Sequence, residues 1–301
     1  MTGDKEHKAK ADHIKKSLED FDNEIKQLQQ KMFEFLSVEL LSEFETINGR
    51  IALNKRNALR LAKLDASMDA FKQKYAAKPF AKLAENMVKM IELTSDYFRA
   101  TVGADKTISN IKDKVKNYRA LVGLNESGGV IRGSFIDKLA DNAEMRTKIA
   151  NYMRNAVEGQ MNYRDFAKGF RDMVIGKDGI NGAYERYVGN YAHDMFFNQS
   201  QQQENFFAQQ LGLKYFIYRG SEIETTRPFC RDRHGKAFSV EHAKTWNDID
   251  WSGKIPGVDI LQQRGGYACR HQFVYVTEQA AKRMGIYELD TESGTPVKVD
   301  K

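Results

Sequence analysis

The stretch ADHIKKSLEDFDNEIKQLQQKMFEFLSVEL, residues 11–40, decides the fold class. Its apolar residues recur alternately four and three positions apart, which is the spacing of a helix with one apolar seam. After this seam the apolar face broadens toward Ile47, a pattern typical of packing into a bundle. We therefore predict one long helix over about 12–47 that is coiled-coil-like at 14–35. The seam comprises Ile14, Leu18, Phe21, Ile25, Leu28, Met32 and Phe35.

Helices are predicted to continue through most of the chain, because proline is scarce and proline interrupts helices. The first 225 residues contain a single proline, Pro79, where we predict a break. Asn162 is a plausible N-cap for a helix that starts at Tyr163, and Gly159 is a plausible stop for the helix before it. Apolar stripes predict helices at about 51–71, 80–101, 106–121, 135–158, 163–175 and 182–211.

The character of the chain changes after Gly212. KYFIYR at 214–219 and HQFVYVT at 271–277 have the composition and length of strands, and Gly, Pro, Trp and Cys concentrate between them. The predicted fold class is mainly α with a small, loop-rich α+β C-terminal module. The predicted divisions are an extended helical N-terminal region (1–124), a helical middle region (130–212), the Cys/His-containing module (213–286) and a poorly ordered polar tail (287–301).

The net charge of +6 is unevenly distributed along the chain. Residues 1–50 hold 8 basic and 11 acidic residues, whereas residues 51–120 hold 15 basic and 7 acidic ones. Such an excess suits double-stranded DNA or an acidic protein surface, although a solvated helix face is the commoner explanation. The candidate contacts are Lys112, Lys114, Lys116 and Arg119.

No apolar run reaches membrane-spanning length, and the N-terminus lacks the apolar region of a signal peptide. The sequence therefore predicts a protein made in the cytoplasm. In that compartment cysteines are usually free or bound to metal.

Two short Cys/His pairs are the main candidates for chemistry. Cys230 precedes His234 by four positions, and Cys269 precedes His271 by two. Together these four residues offer a tetrahedral zinc site, because zinc binds mixtures of thiolate and imidazole. Free buried thiols with a hydrogen-bonded histidine, and a Cys230–Cys269 disulfide, remain alternatives. A catalytic pair of Cys269 with His234 or His242 is a further one.

These residues lie in two stretches, RGSEIETTRPFCRDRHGKAF at 219–238 and GGYACRHQFVYVT at 265–277. Both resemble the signature of the Mu F-like head morphogenesis (minor capsid) family of phages. In that family a Thr- and Cys-containing element, a Gly-Lys-x-Phe strand, a Pro-containing loop and a Cys-Arg-Cys element follow one another. The matching positions are Thr226, Arg227, Cys230, Gly235, Lys236, Phe238, Pro256, Cys269, Arg270 and His271.

The resemblance covers about residues 130–278, and His271 stands where the family has its second cysteine. It implies a structural rather than enzymatic protein of the virion, encoded beside the portal. Such proteins act with portal and capsid proteins in head assembly and in DNA packaging or delivery. The alternative is a toxin-like or hydrolytic enzyme that uses Cys269 with a histidine.

Overall fold

Helices dominate the architecture, and a small α+β part follows them, which confirms the predicted fold class. The structure is a computed structural model that describes residues 3–114, 118–290 and 294–299. Over these residues the helices are α1 (Asp4–Glu39), α2 (Lys55–Ala62), α3 (Leu64–Phe71), α4 (Ala77–Val102), α5 (Asp105–Lys114), α6 (Tyr118–Leu121), α7 (Phe135–Ala140), α8 (Ala143–Glu158), α9 (Tyr163–Ile175), α10 (Asn190–Gln210), α11 (Pro228–Arg233), α12 (Val240–Lys244), α13 (Ile260–Gln263) and α14 (Glu278–Met284).

The strands form two short hairpins and one larger sheet. They are β1 (Thr46–Ile47), β2 (Arg50–Ile51), β3 (Gly176–Lys177), β4 (Ile180–Asn181), β5 (Tyr215–Arg219), β6 (Ala237–Ser239), β7 (Gln272–Val276), β8 (Ile286–Leu289) and β9 (Pro296–Val299). In the sheet the order is β7-β5-β6-β8-β9, and only the β6–β8 pairing is parallel among the described strands. The two strands predicted at 214–219 and 271–277 are β5 and β7, and they are direct antiparallel neighbours.

The chain divides into two compact units, each built from segments that are distant in sequence. The first comprises Met1–Lys15, Met87–Asn117 and His193–Lys301, and the second comprises Lys16–Asn86 and Tyr118–Ala192. The divisions drawn from the sequence (1–124, 130–212, 213–286, 287–301) follow chain order instead. Periodicity identifies which face of a helix is apolar but not which other face covers it, so this interleaving has no signature in the sequence.

The core of the first unit is aromatic. Phe216 of β5 contacts Phe273 of β7 with ring centroids 4.3 Å apart, and Trp246 meets both Phe216 and Phe238 edge to face. All four side chains are completely buried. Aromatic side chains bury large areas and favour such edge-to-face pairs, so this cluster fixes the sheet against the segments that cover it.

The second unit buries the predicted seam of α1 from Leu18 to Met32, and Phe35 is half-buried. Phe21 packs edge to face on Phe80 at 5.2 Å. Asn162 accepts hydrogen bonds from the backbone N–H groups of Arg164 and Asp165, which confirms it as the N-cap of α9.

Several predicted helix boundaries are wrong. The first helix ends at Glu39 instead of continuing to Ile47, and the β1–β2 hairpin follows, with Asn48 and Gly49 at positive φ. The predicted helix 135–158 is interrupted after Ala140, since the Asn142 side chain caps a new helix, α8. Local side-chain hydrogen bonds of this kind compete with the helical backbone, and an apolar stripe does not reveal them.

Pro79 does not break the helix, although a break was predicted there. It is the third residue of α4, and helical backbone runs into α4 from α3 without a break. The proline is accommodated just after a π-helical segment, where the ordinary helical hydrogen-bond pattern is already altered. The preceding residues, Lys72–Ala76, form a π-helical turn that leads from α3 toward α4.

The described part of the predicted polar tail, 287–290 and 294–299, contains strand residues and is therefore more ordered than predicted. β8 and β9 pair in antiparallel register from Ile286 with Val299 to Leu289 with Pro296, and β8 joins the sheet beside β6. In the described part of the chain, no helix is both long and apolar enough to cross a bilayer.

Candidate metal centre

Cys230, Cys269 and His271 converge beside β5, at the end of the sheet where the strand gives way to a loop. Cys230 lies on α11, a short helix that Pro228 opens at its first turn. Cys269 and His271 immediately precede β7. Because β5 and β7 pair from Tyr215 with Val276 to Arg219 with Gln272, the start of β7 is held next to the end of β5.

The distances suit a metal ion. The two sulfur atoms are 3.9 Å apart, and the ligand atoms of the three residues all lie within 4.8 Å of one another. Zn–S bonds of about 2.3 Å at a tetrahedral angle place two sulfurs about 3.8 Å apart. A disulfide requires about 2.05 Å instead. Both cysteines are free thiols in this structure.

The site is closed and has unused donor capacity. Cys230, Cys269 and His271 are each 3 % exposed, and the buried Nε2 atom of His271 has no hydrogen-bond partner. Buried polar atoms are seldom left unpaired, so an orphaned imidazole nitrogen beside two thiols fits a metal ligand.

Glycine at position 265 makes the convergence possible. A Cβ atom there would overlap the Cys230 sulfur and would lie 2.8 Å from the Cys269 sulfur and 3.0 Å from the Tyr218 hydroxyl. No other residue type leaves this space open, because every other residue carries a Cβ.

Cys269 is the more acidic of the two thiols. The hydrogen bond with Cys230 lowers the pKa of Cys269 well below its ordinary value, and contacts with His271 and the charge of Arg264 act in the same direction. The backbone N–H groups of Gly265 and His271 donate to its sulfur at 3.3 and 3.4 Å. The same bond to Cys269, together with burial, raises the pKa of Cys230. Cys269 is therefore the thiol that is predisposed to metal binding as the thiolate.

Two buried guanidinium groups flank the centre. Arg233 packs over the rings of Phe229 and Trp246, at 3.8 and 4.8 Å, and burial lowers its pKa to about 10. Arg264 donates to the Phe197 carbonyl at 2.9 Å. Asp232 acts electrostatically on Arg233, and Arg264 acts on Asp194, but no ion pair joins either arginine to a carboxylate among the described residues. The positive charge of Arg264 acts on Cys269.

The other two candidate histidines, His234 and His242, do not converge with these three ligands. His234 lies beside the group, with its ring edge-on to that of His271 at 5.5 Å and its buried Nδ1 without a hydrogen-bond partner. It is not among the three residues whose ligand atoms converge. Nε2 of His242 accepts a hydrogen bond from the Leu289 backbone N–H at 2.7 Å, so that nitrogen is occupied by the last residue of β8.

Sequence reasoning missed Tyr218, Gly265 and the two arginines. Tyr218 belongs to the predicted strand, but strand composition does not show that its hydroxyl lies 3.3 Å from the Cys230 sulfur and 3.7 Å from that of Cys269. The Gly-Gly pair at 265–266 was the available signal, since paired glycines often mark a close approach of backbone to other groups.

The basic residues proposed as partner contacts are partly engaged within the protein. Lys112 forms an ion pair with Glu92, and Arg119 forms a bidentate pair with Glu85. The side chain of Lys114 and all of Lys116 lie outside the described residues.

Comparison of the chain with models of protein families, with characterised proteins and with solved structures gave no match.

Proposed function

We propose that this protein is a structural component of a phage head, acting at the portal in head assembly and in DNA packaging or delivery, with a C-terminal module held together by zinc. The observation that carries the proposal is the meeting of Cys230 with Cys269, 39 positions apart, at a sulfur separation of 3.9 Å. Both cysteines belong to the stretches that resemble the head morphogenesis family. The protein would be made in the host cytoplasm and carried in the virion.

Cys230, Cys269 and His271 would hold the zinc, and the ion would supply folding free energy rather than catalysis. Structural zinc sites are closed and fully ligated by protein, whereas catalytic sites keep one position open to substrate. The 3 % exposure of each residue favours the structural kind. Zinc would connect α11 with the start of β7 and so fix both ends of the segment between them, which contains β6, α12 and α13.

The zinc proposal is tested on protein purified without chelator, by elemental analysis and a count of free thiols. We expect stoichiometric zinc in the wild type and its loss in Cys230→Ser and His271→Gln. His242→Gln is the matched control, because it also removes a partly buried histidine of the same unit but lies outside the group. A metal-free wild type with two free thiols would contradict the proposal. Packing alone would then hold the Cys230 and Cys269 sulfurs 3.9 Å apart.

The head function is tested in the phage or prophage genome that encodes the chain. Disruption of the gene should give particles that are misassembled, unpackaged or unable to deliver DNA. Wild-type protein supplied in trans should restore infectivity and should be found in purified heads by mass spectrometry. Normal titre from the disrupted phage, with the protein missing from wild-type heads, would rule the function out.

We also propose an electrostatic contact with DNA or an acidic portal surface, made by fewer free charges than the sequence suggests. Lys112 and Arg119 already neutralise Glu92 and Glu85, so they offer less free charge than the sequence implies. Charge-assisted binding weakens as salt rises. Reversal of all four basic residues, Lys112, Lys114, Lys116 and Arg119, should therefore weaken binding of portal or DNA and flatten its salt dependence. Unchanged binding to both would remove the contact.

One observation favours the enzymatic alternative, namely the lowered pKa of Cys269 beside His271. Reactive thiols need this property, but they also need access. Rapid alkylation of Cys269 in the native, metal-free protein would support a nucleophile. Alkylation only after unfolding would support the structural role that we propose.

A further inference from the structure

The proposed zinc centre has three protein ligands whose positions converge, and tetrahedral zinc in a closed site takes four. A fourth ligand must therefore come from the atoms that already surround the sulfurs. Two side chains qualify by position: Tyr218, whose hydroxyl contacts both sulfurs, and His234, whose ring lies beside His271.

The hydroxyl of Tyr218 is at ligand distance from the cysteines. It lies 3.3 Å from the Cys230 sulfur and 3.7 Å from the Cys269 sulfur, and these are its hydrogen-bond contacts within the described residues. Bonds of about 2.3 Å to sulfur and about 2.0 Å to oxygen, at a tetrahedral angle, place the two atoms about 3.5 Å apart. The hydroxyl and the two sulfurs thus form one face of a tetrahedron without any movement of the strand.

The position of Tyr218 is also fixed from every side. Its side chain is fully buried, and its ring stacks on that of His271 at 5.1 Å with an interplanar angle of 9°. A Cβ atom at Gly265 would lie 3.0 Å from its hydroxyl. His234 is held less firmly, because it follows the last turn of α11 and is only half-buried.

Charge distinguishes the two candidates as well. Zinc bound by two thiolates and a neutral imidazole is electrically neutral, so it does not offset the buried guanidinium groups of Arg233 and Arg264. These groups interact electrostatically with Asp232 and Asp194, but no ion-pair contact within the described residues compensates either of them. Buried charges are costly unless they are compensated. A phenolate ligand would add one negative charge to the centre, where Arg233 interacts with Tyr218, whereas a second histidine would add none.

We infer that the phenolic oxygen of Tyr218 is the fourth ligand of the centre, an assignment that rests on the proposed binding of zinc. As the oxygen–zinc bond forms, the phenolic O–H bond breaks and its proton passes to the buffer. The divalent ion supplies the positive charge that a buried phenolate requires. His234 then lies outside the metal's own ligands, beside His271.

The experiment uses the full-length protein, stripped of metal and titrated with zinc in competition with a chromophoric chelator. Tyr218→Phe should lower zinc affinity by about 100-fold or more, because losing even a supporting partner of a metal ligand costs about 10- to 100-fold. Tyr275→Phe is the matched control. The Tyr275 hydroxyl lies in the same core but donates to Asn205, so the zinc affinity of Tyr275→Phe should stay at the wild-type value.

A second measurement needs no variant. Zinc added to the metal-free wild type should produce the red-shifted ultraviolet absorption of one phenolate, which should persist in Tyr275→Phe and vanish in Tyr218→Phe. Zinc binding without this band, or full affinity in Tyr218→Phe with loss in His234→Gln, would overturn the assignment and leave the zinc proposal standing. No zinc binding by the wild type would overturn both.

Discussion

Lys10 and Glu204 form a buried ion pair within the first unit. The Lys10 ammonium lies 2.7 Å from Oε1 of Glu204, and the two side chains are 1 % and 3 % exposed. Oε2 of Glu204 is buried without a hydrogen-bond partner. The pair therefore joins the start of α1 to α10 while leaving one carboxylate oxygen unsatisfied.

These facts give an expected magnitude for Lys10→Met. Removing one partner of a buried pair leaves an uncompensated charge and costs about 3–5 kcal/mol. Replacing both partners by apolar residues of similar volume is usually neutral or stabilising, by about 1–4 kcal/mol. Since Glu204 already has an unsatisfied oxygen, the double variant Lys10→Met/Glu204→Leu should unfold with a free energy no more than about 1 kcal/mol below that of the wild type, or with a higher one.

The measurement is the free energy of unfolding from denaturant titrations followed by circular dichroism, for the wild type, both single variants and the double variant. Lys82→Met is the control, because Lys82 pairs with Glu24 at 3.8 Å on the surface, at 52 % and 34 % exposure. Such pairs contribute about 1 kcal/mol or less. A loss below about 1 kcal/mol in Lys10→Met would show that water reaches the pair and would refute this reasoning.

Three further outcomes are expected. Burial lowers the pKa of His7 from 6.5 to about 4, so between these pH values the unfolded chain binds a proton that the folded chain does not. The free energy of unfolding should therefore fall as pH drops from 6.5 to about 4. In His7→Asn the urea midpoint should depend less on pH across that window, and an unchanged pH dependence would contradict this. Asn162→Ala should lower the unfolding free energy by about 1 kcal/mol through loss of the α9 cap, whereas Asn162→Asp should retain most of it. Gly265→Ala should lower the melting temperature and abolish metal uptake, because its Cβ overlaps the Cys230 sulfur; wild-type zinc content in this variant would mean that the loop moves freely.

What the sequence predicted well depends on local signals. The seam of α1, the Asn162 cap and the strands β5 and β7 each follow from the chemistry of consecutive residues, and the structure has all of them. What it missed depends on contacts across long separations. Lys10 meets Glu204 across 194 positions, and no local pattern distinguishes Lys10 from the exposed lysines of the same helix.

The candidate site was predictable to the same extent. Ligand chemistry singled out Cys230, Cys269 and His271, and the antiparallel pairing of β5 with β7 explains why they meet. The proposed fourth ligand, Tyr218, was not predictable, because spacing treats His234 as equivalent to a ligand, while Tyr218 has no metal-binding motif around it. Only the register of β5 against β7 sets the Tyr218 hydroxyl beside the sulfurs.

The aromatic core changes what a metal has to do in this module. The sequence between the strands is poor in large aliphatic residues, and on that ground alone a staple is needed for folding. Yet Trp246, Phe216, Phe238 and Phe273 already form a fully buried cluster on the sheet. That cluster can hold the sheet together, and it includes Phe238 and Trp246 from the segment that leads from α11 to Cys269, but it forms no bond between the two ends of that segment. The proposed metal centre lies where those two ends meet, so its contribution would be to fix α11 and the start of β7 in one arrangement rather than to create the core.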